Sequence, residues 1–180
     1  ITEISDYAFV GCHSLTAFDF SNIAKLGEGA FANAGLSGAD ISSVDNIGFG
    51  AFYGNTNLTD VKLKKGAYIG GQAFYNDSAL VNIANLGDAV VIGDMAFVST
   101  AITKADITEV TELGNMAFAN SSVTSVIFGN KLVSVGENPF AGCAIEAFES
   151  TTTESFGDDE FNTTITTFEI SPSVHVYNGA

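Results

Sequence analysis

The side chains most available for chemistry in this chain are carboxylates. It carries 21 Asp and Glu against six Lys and no Arg, a formal net charge of −15 over 180 residues. Nucleic-acid binders need clustered cations to neutralise phosphates, so DNA and RNA are not expected partners. Anionic membrane surfaces are disfavoured for the same reason. The two histidines, His13 and His175, stand near opposite ends of the sequence and offer no His-based acid–base pair or zinc cluster. Gly48-Phe49-Gly50 matches the start of a dinucleotide-binding fingerprint but lacks the correctly spaced third Gly. No P-loop, nucleophile elbow or metalloprotease helix motif is present. Catalytic residues, metal ligands and cofactors are therefore not expected.

The acids are ordered. Between two apolar residues of an alternating segment falls one outward residue per unit: Asp19, Asp40, Lys62, Ala84, Asp106, Ile127, Glu149 and Glu169. Five of these eight are acidic, so the column is biased rather than random in charge. Three positions earlier comes a hydroxyl column of Thr16, Ser37, Thr59, Thr103, Thr124 and Thr166. If neighbouring strands align in parallel, the two columns make a polar stripe on one sheet face, suited to a basic or cation-bridged protein ligand. A plainer account carries nearly equal weight: exposed charges keep a flat sheet soluble, and Thr is a good strand former. Calcium between the carboxylates ranks below both, since no EF-hand or nonapeptide calcium motif occurs.

What must position these residues is a repeat. The signature aliphatic-Gly-x-x-Ala-Phe is complete at Leu26 to Phe31, Ile47 to Phe52, Ile69 to Phe74, Ile92 to Phe97 and Leu113 to Phe118. Three further copies are degenerate: Ser5 stands in place of Gly before Ala8-Phe9, Pro139 in place of Ala before Phe140, and Phe156-Gly157 leads to Glu160-Phe161. Successive repeat Phe residues lie 21 to 23 positions apart. Units this short cannot bury an apolar face alone, so stacking is the way they fold. Four to six residues after each Phe comes an aliphatic residue (Leu15, Leu36, Leu58, Leu80, Ile102, Val123, Ile145, Ile165), followed by spaced apolar positions such as Val61 and Leu63 or Val126 and Phe128. That period of two predicts a strand. Gly-x-x-Ala-Phe reads as a turn around a short helical or 3₁₀ segment, its Gly supplying a conformation or a close approach denied to a residue with a Cβ. The fourth strand, Leu80 to Asn85, departs from the pattern, with Asn at the last inward position.

In its combined pattern the chain resembles the BspA-like class of leucine-rich repeats, over essentially its whole length. The resemblance implies a right-handed solenoid with a parallel β-sheet on one face and short turns or 3₁₀ or helical segments on the other. The chirality preference of parallel crossovers agrees. The expected domain organisation is a single solenoid over 1–180, of about eight repeats, the last degenerate (146–180) and rich in Thr and acids. The resemblance also implies an extracellular or cell-surface recognition module binding a host extracellular-matrix or cell-surface protein. Its face would be Asp19, Asp40, Lys62, Asp106, Glu149 and Glu169 with Thr16, Thr59, Thr103 and Thr124. The alternative is a structural spacer or assembly element with no ligand of its own.

The remaining features bound the reading. A 46% hydrophobic content with 15 Phe is enough to line a continuous core. No apolar run approaches the roughly 18 residues that span a bilayer, so no membrane insertion is expected of this segment. The chain begins at Ile1, inside a repeat, and Val174, Val176 and Tyr177 look like the start of another unit, so a processed product or fragment is expected. Cys12 and Cys143 occupy the same place in repeats one and seven, six steps or about 29 Å apart along the stack, too far for a bridge. Both are expected to pack as small buried thiols. Sequons at Asn57, Asn76, Asn120 and Asn162 arise readily by chance in a chain rich in Asn and Thr.

Overall fold

A residue pattern of period two, repeated every coil, builds two ribbons of parallel strands beside one continuous apolar core. The computed structural model describes residues 1–150. Most of the eighth repeat, including Phe156-Gly157, Phe161, Ile165, Thr166, Glu169 and the following His175, lies outside the described residues. In chain order the strands are β1 (Glu3–Ile4), β2 (Lys25–Leu26), β3 (Gly38–Ile41), β4 (Asn46–Ile47), β5 (Asp60–Leu63), β6 (Tyr68–Ile69) and β7 (Asn82–Ala84). They continue with β8 (Val91–Ile92), β9 (Lys104–Ile107), β10 (Glu112–Leu113), β11 (Ser125–Phe128), β12 (Ser134–Val135) and β13 (Ala147–Ser150). The two-residue strands form one seven-stranded parallel sheet, β1-β2-β4-β6-β8-β10-β12. The longer ones form the second ribbon, which carries the candidate stripe, as two three-stranded sheets, β3-β5-β7 and β9-β11-β13. The fold is a parallel solenoid, one strand of the narrow sheet per coil.

The repeat Phe is the spine of the core. Phe9, Phe31, Phe52, Phe74, Phe97, Phe118 and Phe140 stack ring on ring, with centroids 4.9 to 5.8 Å apart and planes within 2° to 15° of parallel. Slipped stacking of this kind adds to the burial of each ring. The backbone around each Phe is bound to the next coil at every second residue. Phe52 N–H donates to Ala73 O and Phe74 N–H to Ala96 O, each at 2.8 Å, while the intervening Ala73 N–H folds back to Gly70 O at 3.3 Å. The signature therefore forms turns rather than a helical or 3₁₀ winding. The alternation requires left-handed residues on either side of the Phe, for example Met95 (φ 57°) and Ser99 (φ 58°) around Phe97.

This pattern explains two features of the signature. The repeat Gly is needed for close approach, not for positive φ: a Cβ on Gly48 would lie 2.6 Å from Gly27 C and O, and one on Gly70 would lie 2.6 Å from Ile47 O. Pro139 is tolerated because its carbonyl, which accepts from Phe118 N–H at 2.7 Å, is the atom the stack uses. A proline gives up only the inward-folding N–H.

Coil four breaks the regularity. Asn85 takes the left-handed conformation (φ 67°, ψ 21°) and leads into the described chain's single 3₁₀ turn, Leu86–Asp88. The Asn85 amide caps Leu63 O at 2.9 Å, and Leu86 turns into the core in the place that Asn leaves empty. The extra residue between Phe74 and Phe97 accommodates this turn, and β7 shares no ladder with β9.

Beside the Phe stack runs a column three residues later in each coil: Cys12, Ala34, Asn55, Asp77, Thr100, Ser121 and Cys143. Asn55, Asp77, Thr100 and Ser121 are buried. Asn55 donates to Phe52 O at 2.5 Å, Thr100 to Phe97 O at 3.0 Å and Ser121 to Phe118 O at 2.6 Å. Cys143 is half-buried and donates to Phe118 O at 3.0 Å. Cys12 is exposed, contrary to the expected burial, because the position is covered by the preceding coil and the described chain places none there.

Asp77 is the anomaly in this column. Its Oδ1 accepts from Asn55 N–H at 2.7 Å, whereas its Oδ2 and Asn55 Oδ1 have no partner. Burial pushes its pKa well above the usual carboxylate range, opposed by the Asn55 and Gly54 N–H groups. Asn55, Thr100, Ser121 and Cys143 each donate to a Phe carbonyl, which an ionised Asp77 has no proton to do.

Two outcomes are expected. Replacing Phe74 or Phe97 by Ala should cost about 3–5 kcal/mol, read as a lowered unfolding midpoint, because each ring is packed on both faces. An unchanged midpoint would overturn the register. For Asp77, the folded pKa lies above the unfolded value of about 3.9, so its stabilising contribution is complete below that pH and is lost as pH rises through the folded value. Asp77→Asn, which supplies the donor at all pH values, should raise the midpoint at pH 7 and flatten its dependence on pH above 4. Equal pH profiles for the two chains would show that Asp77 folds ionised.

Candidate functional site

The long-strand ribbon turns alternate residues outward, and its register aligns the outward residues of successive coils within each three-stranded sheet. Asp40 on β3 pairs with Lys62 on β5, and Lys62 with Ala84 on β7. Across the break, Asp106 on β9 pairs with Ile127 on β11, and Ile127 with Glu149 on β13. The outward positions are thus in register within each three-stranded sheet, and the column is interrupted between β7 and β9. Asp19 is exposed but lies in an extended segment without ladder pairing, and Glu169 is among the residues not described.

Several of these acids already have work within the sheet. Asp40 Oδ1 accepts from the amide of Ser42 at 3.2 Å and its hydroxyl at 2.5 Å. Asp106 Oδ1 accepts from the amide of Thr108 at 3.1 Å and its hydroxyl at 2.6 Å. Asp19 accepts from Ser21 N–H at 3.0 Å. Asp-x-Ser/Thr is therefore a strand-ending turn, the carboxylate capping the residue two positions on. The Ser42 hydroxyl and amide, then Lys62, hold the Asp40 carboxyl below the usual carboxylate range, and the Ser21 amide and hydroxyl do the same for Asp19. Both are anions at neutral pH. Lys62 bridges to Asp40 at 3.2 Å, with both side chains more than half exposed, so the pair adds little to stability.

Three hydroxyls of the column reach the preceding coil, that of Thr59 also lying within hydrogen-bonding distance of Asp60. Thr59 Oγ1 donates to Ser37 O at 3.1 Å, Ser37 Oγ to Thr16 O at 3.3 Å, and Thr124 Oγ1 to Thr103 O at 3.4 Å. Thr16, Thr59 and Thr103 are exposed and Thr124 half-buried.

Sequence reasoning overlooked two features. A second outward column, two residues before the first, aligns Gly38, Asp60, Asn82 and, beyond the break, Lys104 and Ser125. Asp60 accepts from the Thr59 hydroxyl at 2.6 Å and the Asn82 amide at 2.8 Å, which hold its carboxyl below the usual range. The period of two was the signal for this column. The second is a cleft of about 760 Å3 where the ribbon is interrupted, lined among others by Val81, Asn82, Ile83, Lys104, Asp106 and Glu109. Its signal was the extra residue and Asn85 in repeat four.

Among the described residues, no cluster of three or more His, Cys, Asp or Glu is arranged to hold a metal ion, and no helix is long and apolar enough to cross a membrane. His13 is exposed at the turn after Phe9. The exposed acids face solvent singly and converge on no base or nucleophile, so nothing in the site points to catalysis.

The comparisons with known proteins agree with this geometry. The chain matches the model of the BspA type leucine-rich repeat region, in six copies over residues 1–97 and 90–179. No curated protein matches it. Among solved structures it is similar to a leucine-rich repeat protein from Bacteroides ovatus, with 21% identity and a TM-score of 0.58, covering 85% of this chain and 48% of that one. It is also similar to a leucine-rich cell surface protein from Faecalibacterium prausnitzii, with 23% identity and a TM-score of 0.49, covering 84% and 48%. The chain spans about half the length of each. Stacked Phe turns, parallel ribbons and a family match over nearly every residue lead to one conclusion: this chain belongs to the BspA-type leucine-rich repeat family.

Proposed function

We propose that this solenoid is a non-enzymatic recognition module, acting outside the cell or at its surface, that binds a protein through the exposed face of its long-strand ribbon. The observation that carries the reading is the outward column of the long-strand ribbon, with Asp40 and Lys62 in register on β3 and β5 and, beyond the break, Asp106 and Glu149 in register through Ile127 on β9, β11 and β13. Charged side chains recurring along one face make a broad electrostatic surface, which raises association rates and makes binding salt-sensitive. The family supports protein binding as the general role of the repeats. A host extracellular-matrix or cell-surface protein is the partner class the family resemblance implies, and the acidic face favours a basic one. Asp19, Thr16, Thr59, Thr103 and Thr124 border the same face, and Glu169 extends the column in sequence. We extend the solenoid to the whole of 1–180 on the same repeat pattern.

A second reading, a spacer with no ligand of its own, is favoured by a specific observation: several hydroxyls of the stripe bond to the preceding coil and several of its carboxylates cap strand-ending turns.

The test is binding of the 180-residue chain to immobilised extracellular-matrix proteins at low and physiological salt, beside Asp40→Asn/Asp106→Asn. Asn keeps an Oδ1 acceptor for the strand-ending turns and removes only charge, so the fold is retained. Saturable binding, weakened several-fold by salt and by the variant at an unchanged unfolding midpoint, is the expected result. Binding absent at every salt concentration would favour the spacer.

A further inference from the structure

The residue that follows the signature Gly, or Ser5 in coil one, belongs to a ladder outside the long-strand ribbon. Asp6 Oδ1 accepts from Glu28 N–H at 2.8 Å, Asp94 Oδ1 from Asn115 N–H at 2.7 Å, and Asn115 Oδ1 from Glu137 N–H at 2.7 Å. A short side chain on one coil thus caps a main-chain donor of the next. The ladder is interrupted in the middle of the stack, where the position holds Phe49 in coil three and Gly71 in coil four. Neither has a side-chain oxygen to offer.

The backbone around the interruption is held as it is elsewhere. Gly93 N–H donates to Ile69 O and Met95 N–H to Asn115 O, both at 2.8 Å. In coil six, Gly114 N–H and Met116 N–H make the equivalent bonds to Ile92 O and Glu137 O, at 2.7 and 2.9 Å. The N–H of Asp94 is therefore turned as that of Asn115 is, toward the preceding coil, and there it meets Gly71. Among the described residues no acceptor reaches it. The carboxylate of the same residue is only half used: Oδ1 caps Asn115, while Oδ2 enters no hydrogen bond or ion pair among the described residues.

Phe49 lies against the same place. A Cβ on Gly71 would sit 3.2 Å from Phe49 Cδ2, so the ring edge rests beside the bare backbone of coil four, yet Phe49 remains 51% exposed. Tyr68 on β6, three residues before Gly71, is exposed as well. Gln72 and Met95, which follow Gly71 and Asp94, are half-buried and uncharged.

A donor N–H and an unused carboxylate oxygen on one residue, beside an exposed ring, select among ligands. A carboxylate could accept from the N–H but would be repelled by Asp94 and by a chain of net charge −15. A cation could meet the carboxylate but has no lone pair for the N–H. A hydroxyl both donates and accepts, and a pyranose joins neighbouring hydroxyls to an apolar C–H face that can lie on an aromatic ring. A side-chain carboxamide shares the hydrogen bonding but lacks that face.

We propose that Phe49, Gly71 and Asp94 form a subsite for a neutral hexopyranose unit of a glycan, its hydroxyls bonded to the Asp94 N–H and carboxylate and its C–H face laid on the Phe49 ring. The subsite takes no residue from the long-strand ribbon, so it stands whether or not the ribbon binds a protein.

The test is titration of the isotope-labelled 180-residue chain with methyl β-D-glucopyranoside, methyl β-D-galactopyranoside and methyl α-D-mannopyranoside, followed by amide chemical shifts. At least one sugar should move the Asp94 and Gly71 amides saturably, with a Kd of about 10 mM or tighter, and the binding should be insensitive to salt. Gly71→Asn returns to coil four the oxygen that Asn115 supplies in coil six, at a position whose φ is not left-handed. It should abolish the shifts and keep or raise the unfolding midpoint. Phe49→Ala, at an exposed site, should weaken binding about fivefold or more with the fold intact, and it decides the matter if Gly71→Asn does not fold. Asp40→Asn/Asp106→Asn should bind the sugar as the parent chain does. No saturable shift with any of the sugars up to about 50 mM, shifts centred on the ribbon, or undiminished binding by Phe49→Ala would each overturn the proposal. So would tighter binding of N-acetyl-asparagine methylamide, which would assign the place to a protein side chain instead.

Discussion

The structure depends on one contact repeated: the Phe-centred turn of each coil lying directly on the turn of the next. Ring stacking alone would give an apolar rod with freedom to slip. What removes that freedom is the backbone, since every second N–H around the Phe donates to the neighbouring coil and the intervening ones fold inward. Register between coils is thus specified at the turn, by Gly packing against backbone and by left-handed residues flanking the Phe. The strands follow from it. Two-residue strands have little cohesion of their own, and they persist because the turns on the same coils are already aligned.

The core carries more polarity than its hydrophobic residues imply. Next to the Phe rings, Asn55, Thr100 and Ser121 return hydrogen bonds to Phe carbonyls, two of which, Phe52 O and Phe118 O, also accept the backbone N–H that closes the turn. Buried polar groups are tolerated when satisfied and costly when not. Asp77 sits in the same column with one oxygen unanswered, and it is the position where the uniform logic of the stack and the chemistry of the side chain disagree. On the outer face the logic is reversed. Carboxylates and hydroxyls that a sequence reader assigns to a ligand are partly consumed in ending strands and joining coils. What remains for recognition is their outward charge rather than their hydrogen-bonding capacity.

Much of the architecture was legible in the order of residues. The spacing of Gly, Ala and Phe specified stacked coils, and alternation after each Leu or Ile specified strands, because a 22-residue unit has few ways to bury one apolar edge. Asn at the end of the fourth strand marked an irregularity, but its consequence was not legible. A polar residue at an inward position could have been buried and satisfied, or could have turned the chain aside. The fold took the second course, with Asn85 capping Leu63 O and Leu86 moving inward.

The sequence by itself determined the repeat, the identity of the stacked rings, the alternation of each strand and the acidic excess. All of these are properties of local spacing and composition. Tertiary structure alone decided which hydrogen-bonding groups were spent and which were left over. Whether Lys62 reaches Asp40, whether Thr59 bonds to the coil before it, and whether β7 meets β9 each depend on atoms some 20 residues away in sequence, brought within hydrogen-bonding distance only by the rise from one coil to the next.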